Sequence, residues 1–89
     1  MKYEMRLNPE PFELIKSGIK KAEVRLNDEK RKNIKIGDII VFSKRPELKE
    51  KIEVKVIGRK EYSEYPTKYY SEEEQLRYGI VVFDIELLK

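Results

Sequence analysis

Five short stretches that alternate apolar and polar side chains, or run apolar for only a few residues, limit this chain to thin sheet elements. Tyr3-Glu4-Met5-Arg6-Leu7, Ala22-Glu23-Val24-Arg25-Leu26 and Ile52-Glu53-Val54-Lys55-Val56 each alternate with period two, the pattern of a strand with one buried face. Ile39-Ile40-Val41-Phe42 is wholly apolar, which predicts a central strand covered on both sides. Ile80 to Leu88 is the closing strand. These runs fall far short of the ~20 apolar residues that cross a bilayer as a helix. Met1-Lys2-Tyr3-Glu4 opens no signal-peptide pattern either. The expectation is a soluble, cytoplasmic protein with no membrane partner.

Turn and cap signals divide the strands. Asn8 is placed to cap a helix that begins at Pro9, and Phe12, Ile15 and Ile19 fall at helical spacing as its buried stripe. Ser17-Gly18 ends that helix, with Gly18 as the left-handed residue. In the strand that follows, Ala22, Val24 and Leu26 are expected inward, and Lys21, Glu23 and Arg25 outward. Gly37-Asp38 signals a tight turn, Ser43 to Glu50 a charged loop, and Gly58 a bulge. Ser71-Glu72-Glu73-Glu74 reads as a capping box opening a second short helix that stops at Gly79. With no Pro/Gly/Ser linker, repeat or low-complexity tract, residues 1–89 read as one domain. The fold class is mixed α+β, mainly β: a small, strongly bent sheet or barrel of about five strands with two short helices.

The chain has 89 residues with neither Cys nor His. That excludes a disulfide framework, a thiolate nucleophile, a histidine general base and the usual zinc ligands. Glu72-Glu73-Glu74 is better read as first-turn helix chemistry than as metal ligands, so no metal and no cofactor is expected. Charge is unevenly placed: residues 1–60 carry 17 basic and 10 acidic side chains, and residues 61–89 carry 3 and 7. A basic half suits a phosphate-bearing partner. A solvated Lys/Glu-rich surface gives the same count, so charge alone leaves both open.

The segment that separates them is Gly18-Ile19-Lys20-Lys21-Ala22-Glu23-Val24-Arg25. Glu23 and Arg25, two apart, share one strand face beside the helix end. Lys20 sits at the bend, from which its long side chain can swing to the same side. Two cations and one carboxylate then meet at one cleft mouth. The cations can contact phosphate, and Arg25 can stack on a base or bind it bidentately. Glu23 can accept from exocyclic amino groups or hold Arg25 in place. An ordinary surface ion pair would have the same spacing.

The spacing G-x-K-x-x-E-x-R, filled by Gly18, Lys20, Glu23 and Arg25, resembles the hallmark of the ASCH (activating signal cointegrator homology) domains, which have a PUA-like barrel. The run from Leu26 to Arg31 and then Ile34 to Phe42 is similar to the small prokaryotic branch, as are Tyr3 to Leu7 and Tyr78 to Phe83. The resemblance implies an RNA- or nucleotide-binding module whose cleft is lined by those four residues. Lys21, in the same basic run, joins the candidate binding set. Tyr62, Tyr65, Tyr69, Tyr70 and Tyr78 crowd the last third of the chain between Lys60, Lys68 and Arg77. Tyrosines interleaved with cations suit a single-stranded nucleic-acid platform, with Tyr69 and Tyr70 as the candidates. They equally suit the rim of a small core.

The resemblance also implies rival classes. Some small relatives are amidohydrolases acting on N4-acetylcytidine through a Lys, a Thr nucleophile and a Glu. Lys20 matches that Lys, Glu23 stands at the Thr position, and the one Thr, Thr67, lies in a variable loop. Related RNA-cleaving domains imply a second chemistry, with Lys20, Glu23 and Arg25 moving protons and stabilising phosphate. A protein partner is a third class, and the sequence leaves the oligomeric state open. Longer relatives carry a helical insertion where this chain has only Ser63 to Lys68. That implies a cleft open on one side, suited to an extended ligand.

Overall fold

A computed structural model describes residues 1–66 and 69–88. Five strands and two helices follow one another as β1 (Lys2–Leu7), α1 (Pro9–Lys16), β2 (Ala22–Leu26), β3 (Ile39–Lys44), β4 (Lys51–Tyr62), α2 (Glu72–Tyr78) and β5 (Ile80–Leu87). They form one sheet in the order β1-β3-β4-β5-β2. Only the β1–β3 pair is parallel. A parallel pair needs a long crossover, here supplied by α1, β2 and the turn at 27–38.

The sheet curls into a half-barrel. Flat, its edge strands β1 and β2 would stand about 19 Å apart, four spacings of ~4.8 Å. Instead Arg25 on β2 donates from Nη2 to the carbonyl oxygen of Arg6 on β1 at 3.0 Å. One guanidinium thus bridges the seam where no backbone ladder closes the barrel. The hollow is filled by Met5 and Leu7 from β1, Phe42 from β3, Val54 and Val56 from β4, and Phe83 from β5. Phe12 and Ile15 of α1 reach the same cluster.

The turn chemistry follows the sequence closely. Gly18 lies just beyond α1 at φ +83°, a left-handed conformation that lets the chain turn sharply toward β2. The register of β4 against β5 shifts between Val56 and Gly58. A Cβ at Gly58 would stand 2.5 Å from Asp84 Oδ2 and 3.1 Å from Asp84 Cβ, so only glycine passes there unhindered. The capping box of α2 is complete: Ser71 Oγ accepts from the Glu74 amide, and the Glu74 side chain accepts from the Ser71 amide.

Several expectations are corrected. Ile19 lies past the helix end and is 74% exposed, so α1 buries only Phe12 and Ile15. Asn8 occupies the cap position of α1, but its side chain makes no cap bond there. Its Oδ1 lies 3.5 Å from Arg45 Nη1 instead. β3 is an interior strand as expected, between β1 and β4, but its Ile39–Phe42 run alternates half-buried with buried residues instead of being covered on both faces.

The largest correction concerns β2. Glu23 pairs with Phe83 and Arg25 with Val81, and directly opposed side chains of an antiparallel pair share a face. Phe83 and Val81 are core residues, so Glu23 and Arg25 point to the interior side of the curl. Ala22, Val24 and Leu26 take the other face, where Leu26 lies opposite buried Ile80.

Candidate nucleic-acid interface

A carboxylate on the core side of an edge strand must be compensated to be tolerated. Glu23 is only 4% exposed. Its Oε1 accepts from Lys20 Nζ at 2.9 Å and its Oε2 from Arg25 Nε at 2.8 Å. The two cations keep contact with water, their side chains being 32% and 14% exposed. The carboxylate therefore acts as a buried anchor for two cations that line the cleft, Arg25 also spending one N–H on the Arg6 carbonyl. Gly18 makes this local: the chain reverses after α1, and Ile19 and Lys20 both donate their amides to the Leu14 carbonyl. That fixes the bend from which Lys20 reaches Glu23.

These residues line a cleft of about 440 Å³ at the β1–β2 seam, within the size range of small-ligand sites. The same cleft is also lined by three tyrosines, Tyr65, Tyr69 and Tyr70, with Pro66. Their support is Gln75, a buried polar side chain of α2. Gln75 Oε1 accepts from the Tyr65 amide at 2.7 Å, and its Nε2 donates to the Tyr70 carbonyl at 3.2 Å. One amide thus holds both flanks of the tyrosine loop. Tyr62 packs on Tyr65 with ring centroids 5.3 Å apart, and Tyr78 lies against the Arg77 guanidinium. Neither of those two rings lines the cleft.

Of the candidates chosen from sequence, the structure brings Lys20, Glu23, Arg25, Tyr69 and Tyr70 to this cleft. Gly18 and Lys21 border a smaller hollow of about 230 Å³ on the other side of Lys20, among Ile15, Ile57 and Leu87. Thr67 lies outside the described residues. Sequence reasoning passed over Arg6 and gave Arg45, in the charged loop, only a diffuse electrostatic part, yet both line the cleft. Arg45 arrives because its amide donates to the Leu7 carbonyl at 2.8 Å, bringing the β3–β4 loop under the end of β1. No local pattern signals that long-range contact. Among the described residues no group of three or more Asp and Glu could hold a metal ion, and no helix is long and apolar enough to cross a membrane.

Comparison with solved structures matches four chains, two of them as follows. The crystal structure of hypothetical protein PH0355 superposes with a TM-score of 0.82 at 38% identity, over 99% of this chain and 100% of that one. The solution structure of protein PF0455 from Pyrococcus furiosus gives 0.60 at 33% identity, over 100% and 99%. Comparison with curated proteins gives no match. The ASCH domain model matches residues 5–89. With the half-barrel and the Gly18-Lys20-Glu23-Arg25 spacing already in view, the chain belongs to the ASCH domain family.

Proposed function

We propose that this protein binds single-stranded RNA or a nucleotide-containing ligand in the seam cleft. The observation that carries the reading is that one cleft is lined both by Lys20 and Arg25, anchored by buried Glu23, and by Tyr65, Tyr69 and Tyr70. A base stacks on the tyrosines while its phosphate meets the cations. Glu23 acts mainly by orienting them, since both its oxygens are already engaged. Membership of a family whose domains are generally RNA-binding-like supports the same reading.

A hydrolase reading would use the Lys20–Glu23 pair. The position where amidohydrolase-like relatives carry Thr is Glu23, which is buried and tied to two cations. Among the described residues no Ser or Thr lines the cleft. Binding is therefore the better-supported function.

Fluorescence anisotropy with a labelled octauridylate tests it. Tyr69→Ala should weaken binding by about 5- to 150-fold, corresponding to ~1–3 kcal/mol per stacked base. Lys20→Gln should flatten the log–log salt dependence by about 0.7, one phosphate contact. Lys55→Gln on β4, outside the cleft, should change nothing. Salt-independent binding, or equal losses for Lys20→Gln and Lys55→Gln, would remove the cleft as the site.

A further inference from the structure

A second hollow adjoins the cleft. It has a volume of about 610 Å³ and is lined by residues of β1, β2, the 27–38 turn and the β3–β4 region. Arg6, Arg25 and Arg45 line both hollows and stand between them. Lys30, Arg31 and Lys51 complete the cationic lining, and Glu4 is the one carboxylate among the lining residues. Two of these cations are fixed by acids outside the hollow: Arg25 by Glu23 at 2.8 Å and Arg31 by Asp28 at 2.7 Å. Arg6, Lys30 and Lys51 make no ion pair with another described residue. Six cations less Glu4, Glu23 and Asp28 leave a surplus of three, equal to the net charge of the whole chain, +3. Among the lining residues of this groove six cations stand against one carboxylate, a stronger bias than an evenly mixed Lys/Glu-rich surface would give.

The two hollows differ in chemistry. The seam cleft has an aromatic lining, whereas the groove has none: its lining is charged or polar apart from Met5 and Leu48. We infer that the groove tracks the sugar–phosphate backbone of the strand whose base occupies the cleft. This inference rests on the cleft being the base site. The ligand class becomes an oligonucleotide of several residues, one base read by the cleft and the neighbouring phosphates held at the groove. Arg6, Arg25 and Arg45 stand at the junction, where the first backbone phosphate leaves the base. Counterion release then makes salt dependence grow with length until the groove is filled.

The test uses uridine 5′-monophosphate and labelled oligouridylates of two, four and eight residues, with binding followed by NMR titration and anisotropy. Affinity should rise by about tenfold or more from the mononucleotide to the tetramer and then level off. The salt slope should steepen from about −0.7 to about −2 to −3. Lys30→Glu/Lys51→Glu should abolish that rise and return the octamer slope to about −0.7 to −1, leaving mononucleotide binding as it was. Both positions are on the surface, and Lys30→Gln/Lys51→Gln, with its melting curve, serves as a milder pair. Length-independent affinity, or equal loss of mononucleotide and octamer binding in these variants, would overturn the groove. If instead Tyr69→Ala changed nothing while the lysine variants abolished binding, the base-reading cleft would fall, and with it the continuity proposed here.

Discussion

Removing Arg25 should damage the fold more than removing the charge it pairs with, because the partners are buried unequally. Stranding a buried charge costs about 3–5 kcal/mol. In Arg25→Ala, Glu23 keeps Lys20 on Oε1 but loses the partner of Oε2, so roughly half that cost applies, ~2 kcal/mol. The lost seam bond to the Arg6 carbonyl adds ~1 kcal/mol. A total near 3 kcal/mol corresponds to a fall in Tm of about 12–24 °C for a domain of this size. Glu23→Gln strands nothing: Lys20 and Arg25 already touch water and can turn outward, so the loss should be ~1–2 kcal/mol. The double variant Glu23→Gln/Arg25→Ala has no ionised acid left in the core side of β2. It should be more stable than Arg25→Ala alone by ~1 kcal/mol or more. Urea unfolding of the wild type and three variants at pH 7 reads all four corners of the cycle. Additive losses, or Glu23→Gln proving the worse single change, would refute the view of Glu23 as a buried anchor.

Other outcomes follow from the same geometry. Phe83→Ala removes a fully buried ring from the middle of the core and should cost about 3–5 kcal/mol by thermal or urea melting; an unshifted melt would place that ring outside the core. Gln75→Ala should weaken octauridylate binding while leaving kinetic on-rates at high salt little changed, because it frees the Tyr65 and Tyr70 backbone without touching a cation; unchanged affinity would dismiss the tyrosine lining. The Lys35 amide holds the Asp38 carboxyl below its ordinary range, and Lys16 does the same for Glu50. Both bind protons less readily folded than unfolded, so their stabilisation is complete above about pH 5 and is lost as pH falls through about 4 and below. Lys16 and Lys44 are held upward by Glu50 and Glu13, so their contribution is complete below about pH 10 and fades as pH rises beyond it. Asp38→Asn should flatten the acid limb of a stability–pH curve, and an unaltered limb would count against it.

Local chemistry was legible in the sequence where one or two residues decide it. Gly18, the bulge at Gly58 and the Ser71–Glu74 box each depend on backbone freedom or on a bond spanning three residues. The interior face of β2 was not legible. Alternation tells which side chains travel together, but not which set faces the inside of a curled sheet. On an edge strand that also contacts α2, the apolar set of Ala22, Val24 and Leu26 took the face opposite Ile80, Val82 and Asp84 of β5. The Glu23–Arg25 set could then enter the curl because Arg25 balances the carboxylate charge and Lys20 satisfies its second oxygen. Likewise the run in β3 gave no hint that β4 would be the middle strand, since sheet order depends on long-range pairing. The cleft's motif side was visible as a spacing; its Arg6 and Arg45 side exists only once β1 and the β3–β4 loop meet.

The attachment of the cleft's tyrosines has a consequence for how its two kinds of lining can be altered. Tyr65 and Tyr70 are both tied through their backbones to one glutamine on α2, and neither residue belongs to the five-strand ladder. The cations are instead set by the bend after α1 and by Glu23 on β2. A change at Gln75 therefore reaches the tyrosines without touching the Glu23 anchor, and a change at Glu23 reaches the cations without touching Gln75. Stacking and charge in this cleft are separately adjustable.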